Sequence, residues 1–233
     1  IFVYNFLKLF YNYLMNYFLI IGTIVLSVLI IVFIHVLVMG LTSMIFSMKP
    51  EINLGIGQKL IRFGNWNIKS IPLGGHLTFK STEMLKSGSL SRINLLKVQT
   101  VGLSAELGLI LFGVIIIPTD IVSIFFVTLS QIGGVFISPF KFGTVAVGSI
   151  IDFVNNNTLI VILGTIAPKF AVINLFPLRG FNGYAFILFL FEVFHVPDKV
   201  KNIYGNFTSL VFASILLTWF IAIITYIINL LFR

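Results

Sequence analysis

"YFLIIGTIVLSVLIIVFIHVLVMGLTSMIF", residues 17 to 46, runs for thirty residues without an aspartate, glutamate, lysine or arginine. A helix needs about 20 predominantly apolar residues to cross the hydrocarbon core of a membrane. The run therefore predicts a long, tilted transmembrane helix, and it decides the fold class. Its one side chain that titrates near neutral pH is His35, which an otherwise apolar span has to accommodate.

The composition of the whole chain agrees with a membrane protein. Of its 233 residues, 58% are hydrophobic and only 9% are charged, whereas about a quarter of a soluble domain is charged. The net charge of +8 then indicates orientation and contact with lipid headgroups. We find no nucleic-acid-binding motif and expect no nucleic-acid partner. The absence of cysteine excludes disulfides, thiolate metal sites and cysteine nucleophiles.

We predict an all-α polytopic membrane protein that forms a single membrane domain over residues 1–233. About four transmembrane helices are expected, at residues 17–46, 95–117, 158–194 and 207–232. The third is too long for one straight span and contains Pro168 and Pro177, so we expect it to be broken. The polar stretch "DKVKN" (198 to 202) is then a loop before the last span.

One apolar segment, residues 121–151, leaves three alternatives open: a span, a re-entrant pair or an interfacial element. It contains Gly133, Gly134 and Pro139. These residues favour irregular backbone, which lipid cannot satisfy. A re-entrant or interfacial element is therefore the preferred interpretation.

A polar region at residues 50–94 follows the first span. The stretch from Lys49 to Lys97 holds eight of the fifteen basic residues, so the positive-inside rule places it in the cytoplasm, or in the matrix or stroma of an organelle. Glycines alternate with apolar residues over residues 51–80, a pattern typical of short strands and tight turns. We predict a small β-hairpin and loop region at the membrane surface.

Five segments together resemble a known family. In chain order they are "NLGIGQKL" (53 to 60), "IPLGGHLTFK" (71 to 80), "VQTVGLSAELG" (98 to 108), "LSQIGGVFI" (129 to 137) and "VINLFPLRGFNG" (172 to 183). In their order, in their spacing and in the hydrophobic spans next to them, they resemble the conserved motifs of the site-2 protease family of intramembrane zinc metalloproteases. The resemblance implies structural roles for the motif residues Gly55, Gly57, Pro72, Gly74, Gly75, Asn174, Pro177 and Gly183.

The same resemblance gives His35 a position. The first span of that family carries HExxH, in which two histidines bind zinc and the glutamate activates a water. The aligned residues here are His35, Val36 and Met39, and the family's third ligand, an aspartate, aligns with Asn182. Hydrolysis needs three protein ligands, a zinc-bound water and a base. The chain is thus identified as a degenerate, catalytically inactive member with a vestigial site, and we expect no metal, no cofactor and no enzymatic activity.

Glu106 stands at the family's asparagine position in the second span. An acid inside a membrane costs about 2.5 to 3.5 kcal/mol on insertion scales, which makes it a candidate functional residue. Glu106 is expected to be protonated or paired with His35, Lys97 or Lys169; a proton relay or weak metal pair with His35 is the alternative. We expect a hydrogen bond inside the bundle for His35, and bonds from Asn182 to free backbone groups near Pro177.

These observations predict a non-catalytic membrane subunit on a site-2-protease-like scaffold, packed with other membrane-protein subunits and lipids in a larger complex. Richness in Phe, Ile, Asn, Lys and Tyr is typical of A+T-rich coding sequence. It is compatible with an organellar and with a bacterial gene. We favour a subunit of a respiratory complex in the mitochondrial inner membrane, and the bacterial inner membrane is the alternative location. The alternative function is a bacterial pseudoprotease that binds single-span partners without cleavage. An active protease is a weaker hypothesis because the residues of the zinc site are not retained. A transporter is also a weaker hypothesis, because we see no inverted repeat in the sequence.

Overall fold

A computed structural model describes residues 2–79, 92–118 and 120–232. The predicted surface region at residues 50–94 therefore lies partly outside the described residues, from residue 80 to residue 91. The described elements are, in order, α1 (Phe2–Ile45), β1 (Glu51–Phe63), β2 (Trp66–Thr78), α2 (Arg92–Ile116), α3 (Ile121–Ile137), a π-helical turn (Pro139–Gly143), α4 (Thr144–Asn156), α5 (Leu159–Asn174), α6 (Asn182–Val193) and α7 (Asp198–Leu231).

Three of the described helices are long and apolar enough to cross a membrane. The stretches that qualify are Met15–Ile45 in α1, Leu96–Ile116 in α2 and Asp198–Leu230 in α7. They correspond to the first, second and last predicted spans, and they indicate an integral membrane protein.

The last helix begins earlier than predicted, because "DKVKN" forms its first turns instead of a loop. Asp198 lies in the first turn of α7, where the helix dipole favours a negative charge. The Lys201 ammonium donates to Asp198 at 3.0 Å and to Glu192 of α6 at 2.6 Å. These contacts connect the beginning of α7 to the end of α6.

The third predicted span is two helices, α5 and α6, separated by residues 175–181. The predicted break near Pro177 is confirmed, and Gly180 in the same stretch has a φ of 101°, a conformation that favours glycine. The predicted break at Pro168 was wrong, since Pro168 lies inside α5. Its ring fits against Gly113 of α2, where an added Cβ would lie 2.5 Å from Pro168 Cδ. Packing between α2 and α5 thus outweighs the helix-breaking tendency of this proline.

The segment at residues 121–151 is helical on both sides of the π-helical turn. Gly133 and Gly134 lie inside α3, so the irregular backbone expected there is confined to the region that begins at Pro139. A Cβ on Gly134 would collide with the Phe142 ring, and one on Gly143 would lie 2.5 Å from Ala222 Cβ in α7. The glycines here serve close packing of the turn.

The predicted small sheet is present, and each strand bends so that the sheet has four short segments. Residues 52–54 lie between residues 75–77 on one side and 66–68 on the other, while residues 61–63 pair with 66–68. Bending is possible because Gly55 has a positive φ of 89°. Residues 58–63 consequently form one edge of the sheet, and residues 75–78 form the other.

The sheet, for which the sequence predicted a position at the membrane surface, packs alongside α1. Ile52 packs against Val32 and Val36, and the Trp66 ring centroid lies 6.3 Å from that of Phe33. Because these α1 residues precede the end of the helix at Ile45 by at least nine positions, the sheet covers the second half of the helix.

The centre of the helical bundle joins α1, α2 and α5. Ile31, Leu109 and Ala167 are fully buried in one apolar cluster. His35 follows Ile31 by four residues and Glu106 precedes Leu109 by three, which puts both on the inward faces of their helices. The apolar core therefore aims these two polar side chains at each other.

Candidate functional site

Three polar side chains from three helices meet inside the bundle. His35 comes from α1, Glu106 from α2, and Asn182 is the first residue of α6. The Asn182 amide donates to Glu106 Oε1 at 2.6 Å, and His35 Nδ1 lies 3.6 Å from the same oxygen. His35 is 5% exposed and Glu106 is 1% exposed. The described residues thus contain a buried polar cluster centred on one carboxylate oxygen.

Two atoms of this cluster, His35 Nδ1 and Glu106 Oε2, have no hydrogen-bond partner among the described residues. A separation of 3.6 Å is longer than a hydrogen bond, so the hydrogen bond expected for His35 is not made at Nδ1. Its ring also meets Phe170 edge-on, with centroids 6.0 Å apart. A buried charge is costly unless it is paired. The pair has no net charge if Glu106 is protonated and His35 is neutral, or if His35 is protonated and Glu106 is ionised.

Lys169 bonds to another residue instead of Glu106. Lys169 was one of three predicted partners for Glu106, but its ammonium donates to Gln131 of α3 at 3.3 Å. Of those partners, the structure places His35 in contact with the carboxylate.

Asn182 also differs from its predicted role. It was expected to bond free backbone groups near Pro177, and instead its amide reaches Glu106 on another helix. The Pro177 carbonyl accepts a hydrogen bond from the Tyr204 hydroxyl at 2.6 Å. Gly183 holds the backbone in place, because a Cβ there would collide with the carbonyl groups of Leu175 and Phe176.

A cavity of about 640 Å³ lies beside the cluster. Its wall includes residues from α1, β2, α2, α5, α6 and the 175–181 connection: Val32, His35, Met39, Gly74, Gly75, His76, Leu77, Phe79, Val98, Gln99, Val101, Gly102, Phe170, Ile173, Asn174, Gly180, Phe181, Asn182 and Ala185. Val36, the residue at the family's base position, is buried against Ile52. The cavity is within the size range of small-molecule and cofactor sites.

His76 is the second histidine of this cavity. Partial burial, with a smaller effect from Lys69, lowers the pKa of the His76 imidazole below its usual value. The ring is therefore neutral at pH 7 and adds hydrogen-bonding capacity without charge.

Four of the motif glycines to which the resemblance gives structural roles lie at positions in the sheet that disfavour any other residue. Gly55, Gly57 and Gly74 all have positive φ angles, between 76° and 91°, where other residues are strained. Gly75 lies so close to Val36 that a Cβ would collide with it. Pro72 lies in β2, and its side chain is outside the described residues.

Sequence reasoning missed Gln99, Phe170 and Phe181, which line the cavity. Phe170 could have been found, because it precedes the motif residue Asn174 by four positions and so shares its helix face. Gln99 is a buried polar residue in an apolar helix, which is a weaker signal of the same kind.

The donor atoms at the cluster do not fit the zinc site that the resemblance implies. Within the described ranges, no three histidine, aspartate or glutamate side chains come together. The cluster offers one imidazole, one carboxylate and one amide, with the Met39 thioether nearby, and Val36 has no group that could activate a water.

No protein-family model, curated protein or solved structure matches this chain.

Proposed function

We propose that the chain is a non-catalytic integral membrane protein of site-2-protease-like architecture, and that its internal cavity binds a segment of a partner membrane protein without cutting it. The resemblance aligns His35 and Asn182 with two zinc ligands that lie 147 residues apart in this sequence. Both contact Glu106 in the fold, which supports the resemblance independently of the motifs.

The observation that carries the proposal is the position of Glu106 Oε1. It lies between His35 and Asn182, which is where the resemblance would place a metal ion. The Glu106 oxygen occupies that position and accepts a hydrogen bond from the Asn182 amide, which turns an N–H group, and not a metal-binding oxygen, toward it. Together with valine at the base position, this arrangement supports a scaffold that has exchanged a metal centre for a buried polar contact.

The cavity favours binding over a purely structural role. The cavity has a volume of about 640 Å³ and is lined mainly by apolar side chains with a few polar groups, which is typical of sites that bind a ligand. The strand segment at residues 75–78 is an edge of the sheet, and Gly75, His76 and Leu77 line the cavity. An extended polypeptide can pair with such an edge through main-chain hydrogen bonds.

Site-specific photo-crosslinking in native membranes tests this function. p-Benzoylphenylalanine at Phe79, which lines the cavity, is expected to crosslink a polypeptide of unchanged length. The same probe at Ile115, which is 80% exposed on α2, is the control and should give no comparable product. Filling the cavity by Ala185→Phe should abolish the Phe79 product. A shortened polypeptide, or equal crosslinking from both positions, would contradict the proposal.

A second candidate is a structural subunit of a larger membrane assembly, such as a mitochondrial respiratory complex. It is favoured by α7, because only 6% of the residues in its most apolar stretch are buried within the described chain, compared with 39% in α1. Leu210, Leu217 and Phe220 are all more than half exposed on this helix. Purification in a mild detergent separates the two functions: stoichiometric respiratory subunits support the assembly, and a single-span polypeptide alone supports the pseudoprotease.

A further inference from the structure

A stretch of nine consecutive exposed residues, 57–65, forms the outer edge of the sheet and its turn. It contains three large apolar side chains, Leu60, Ile61 and Phe63, with exposed fractions of 65%, 47% and 66%. The cations Lys59 and Arg62 lie among them in the sequence and are also exposed. We call residues 57–65 the exposed edge. Apolar and cationic side chains mixed in this way are typical of a surface at a membrane interface.

A second cavity, of about 680 Å³, adjoins the exposed edge. It lies between the end of α1 and the β-turn. Met44, Met48, Phe63 and Trp66 provide apolar walls, and Lys49 provides a cation. Unlike the cavity beside His35, this one combines an apolar interior with a basic rim.

The position of the second cavity along α1 places it at the end of the apolar span. The membrane-spanning stretch of α1 ends at Ile45, and Met44 and Met48 stand on either side of that residue. Lys49 is the first charged residue after the span. Tryptophan, such as Trp66 here, is enriched where headgroups meet hydrocarbon.

The charge of this region selects an anionic ligand. The residues from 49 to 69 carry four cations and one acid, and they are Lys49, Lys59, Arg62, Lys69 and Glu51. The acid lies 3.8 Å from the Arg62 guanidinium. Because both partners are substantially exposed, this pair is weak and leaves the surface positive.

We propose that the second cavity and the exposed edge bind an anionic phospholipid of the surrounding leaflet. Lys49 in the cavity wall pairs with the phosphate, Lys59 on the exposed edge adds positive charge that attracts the headgroup, and Met44, Met48 and Phe63 contact the upper part of an acyl chain. The free backbone N–H groups of an edge strand can donate to phosphate oxygens. A phospholipid matches both halves of the surface, whereas an acidic peptide would leave the apolar walls uncovered.

The test uses the full chain in nanodiscs of equal phosphatidylglycerol and phosphatidylcholine, followed by release and native mass spectrometry. The wild-type protein is expected to retain more phosphatidylglycerol than phosphatidylcholine. Lys49→Gln with Lys59→Gln should reduce this retention by about tenfold or more, since each cation contributes to anionic-lipid affinity. The matched control, Lys141→Gln with Lys199→Gln, removes two exposed cations elsewhere and should leave it unchanged.

A second readout remains decisive if the lysine variant fails to fold. Because the chain contains no cysteine, Leu60→Cys gives a single site for a nitroxide, which should be accessible to oxygen and protected from a water-soluble relaxant in phosphatidylglycerol nanodiscs. The inference is overturned by equal retention of the two lipids, by equal losses in the two double variants, or by a water-exposed nitroxide. A polypeptide crosslinked at residue 60 without lipid preference would overturn it as well.

Discussion

Replacement of Glu106 by alanine is expected to lower the free energy of unfolding by about 2 to 4 kcal/mol. The carboxylate is 1% exposed and accepts the Asn182 amide. Alanine would leave a hole between three helices and a half-buried amide without its acceptor. Unfolding by dodecyl sulfate in mixed micelles, followed by circular dichroism, measures the change.

Glu106→Gln is the matched control, because it keeps the shape and an acceptor oxygen for Asn182. It should cost less than about 1 kcal/mol, and the Glu106→Ala, Asn182→Ala double variant should be less destabilised than the two single variants combined. Equal destabilisation by alanine and glutamine would mean that the charge, and not the hydrogen bond, matters at this position. A neutral effect of alanine would contradict the central role of the cluster.

The second large effect is a gain of zinc binding. Met39→His, Glu106→Asn and Asn182→Asp together recreate the two histidines and the aspartate that the resemblance implies, with His35 unchanged. Histidines four residues apart on one helix face can share a metal, and the removal of Glu106 clears the position between His35 and residue 182. About one zinc per chain is expected, against a small fraction in wild type.

The matched control for this variant carries Met39→Ala in place of Met39→His, and it should lose the added zinc. With Val36 retained, neither variant has a base to activate water, so neither should cleave a peptide. Cobalt substitution gives an independent readout, since a tetrahedral site with nitrogen and oxygen ligands produces visible absorption bands. If the triple variant is folded but binds no metal, His35, residue 39 and residue 182 do not converge as proposed.

Much of the helical architecture could be predicted from the sequence because length and apolarity directly determine membrane spans. The run that contains His35 is a helix, and the break near Pro177 is present. The errors arose where tertiary contacts override local preference. Pro168 stays helical because Gly113 makes room for its ring, and "DKVKN" is helical because Lys201 joins two acids.

The site was only partly predictable for a similar reason. The resemblance aligned His35 and Asn182 with two ligands of one zinc site and so predicted that they lie close together. Helical periodicity put both His35 and Glu106 on buried faces. Neither could show that the Glu106 carboxylate reaches between the other two, because that depends on how α1, α2 and α6 cross. The depth of the sheet along α1 has the same origin, since the contact of Ile52 with Val32 is not encoded in any local pattern.

The zinc content of the wild-type protein, purified from native membranes without chelators, shows whether Glu106 lies where the resemblance would place a metal ion. If Glu106 has taken the place of a metal ion between His35 and Asn182, elemental analysis will find zinc far below one atom per chain, and His35→Ala will not change the value. A full equivalent of zinc that His35→Ala removes would contradict the account, because it would show that the site still holds the metal.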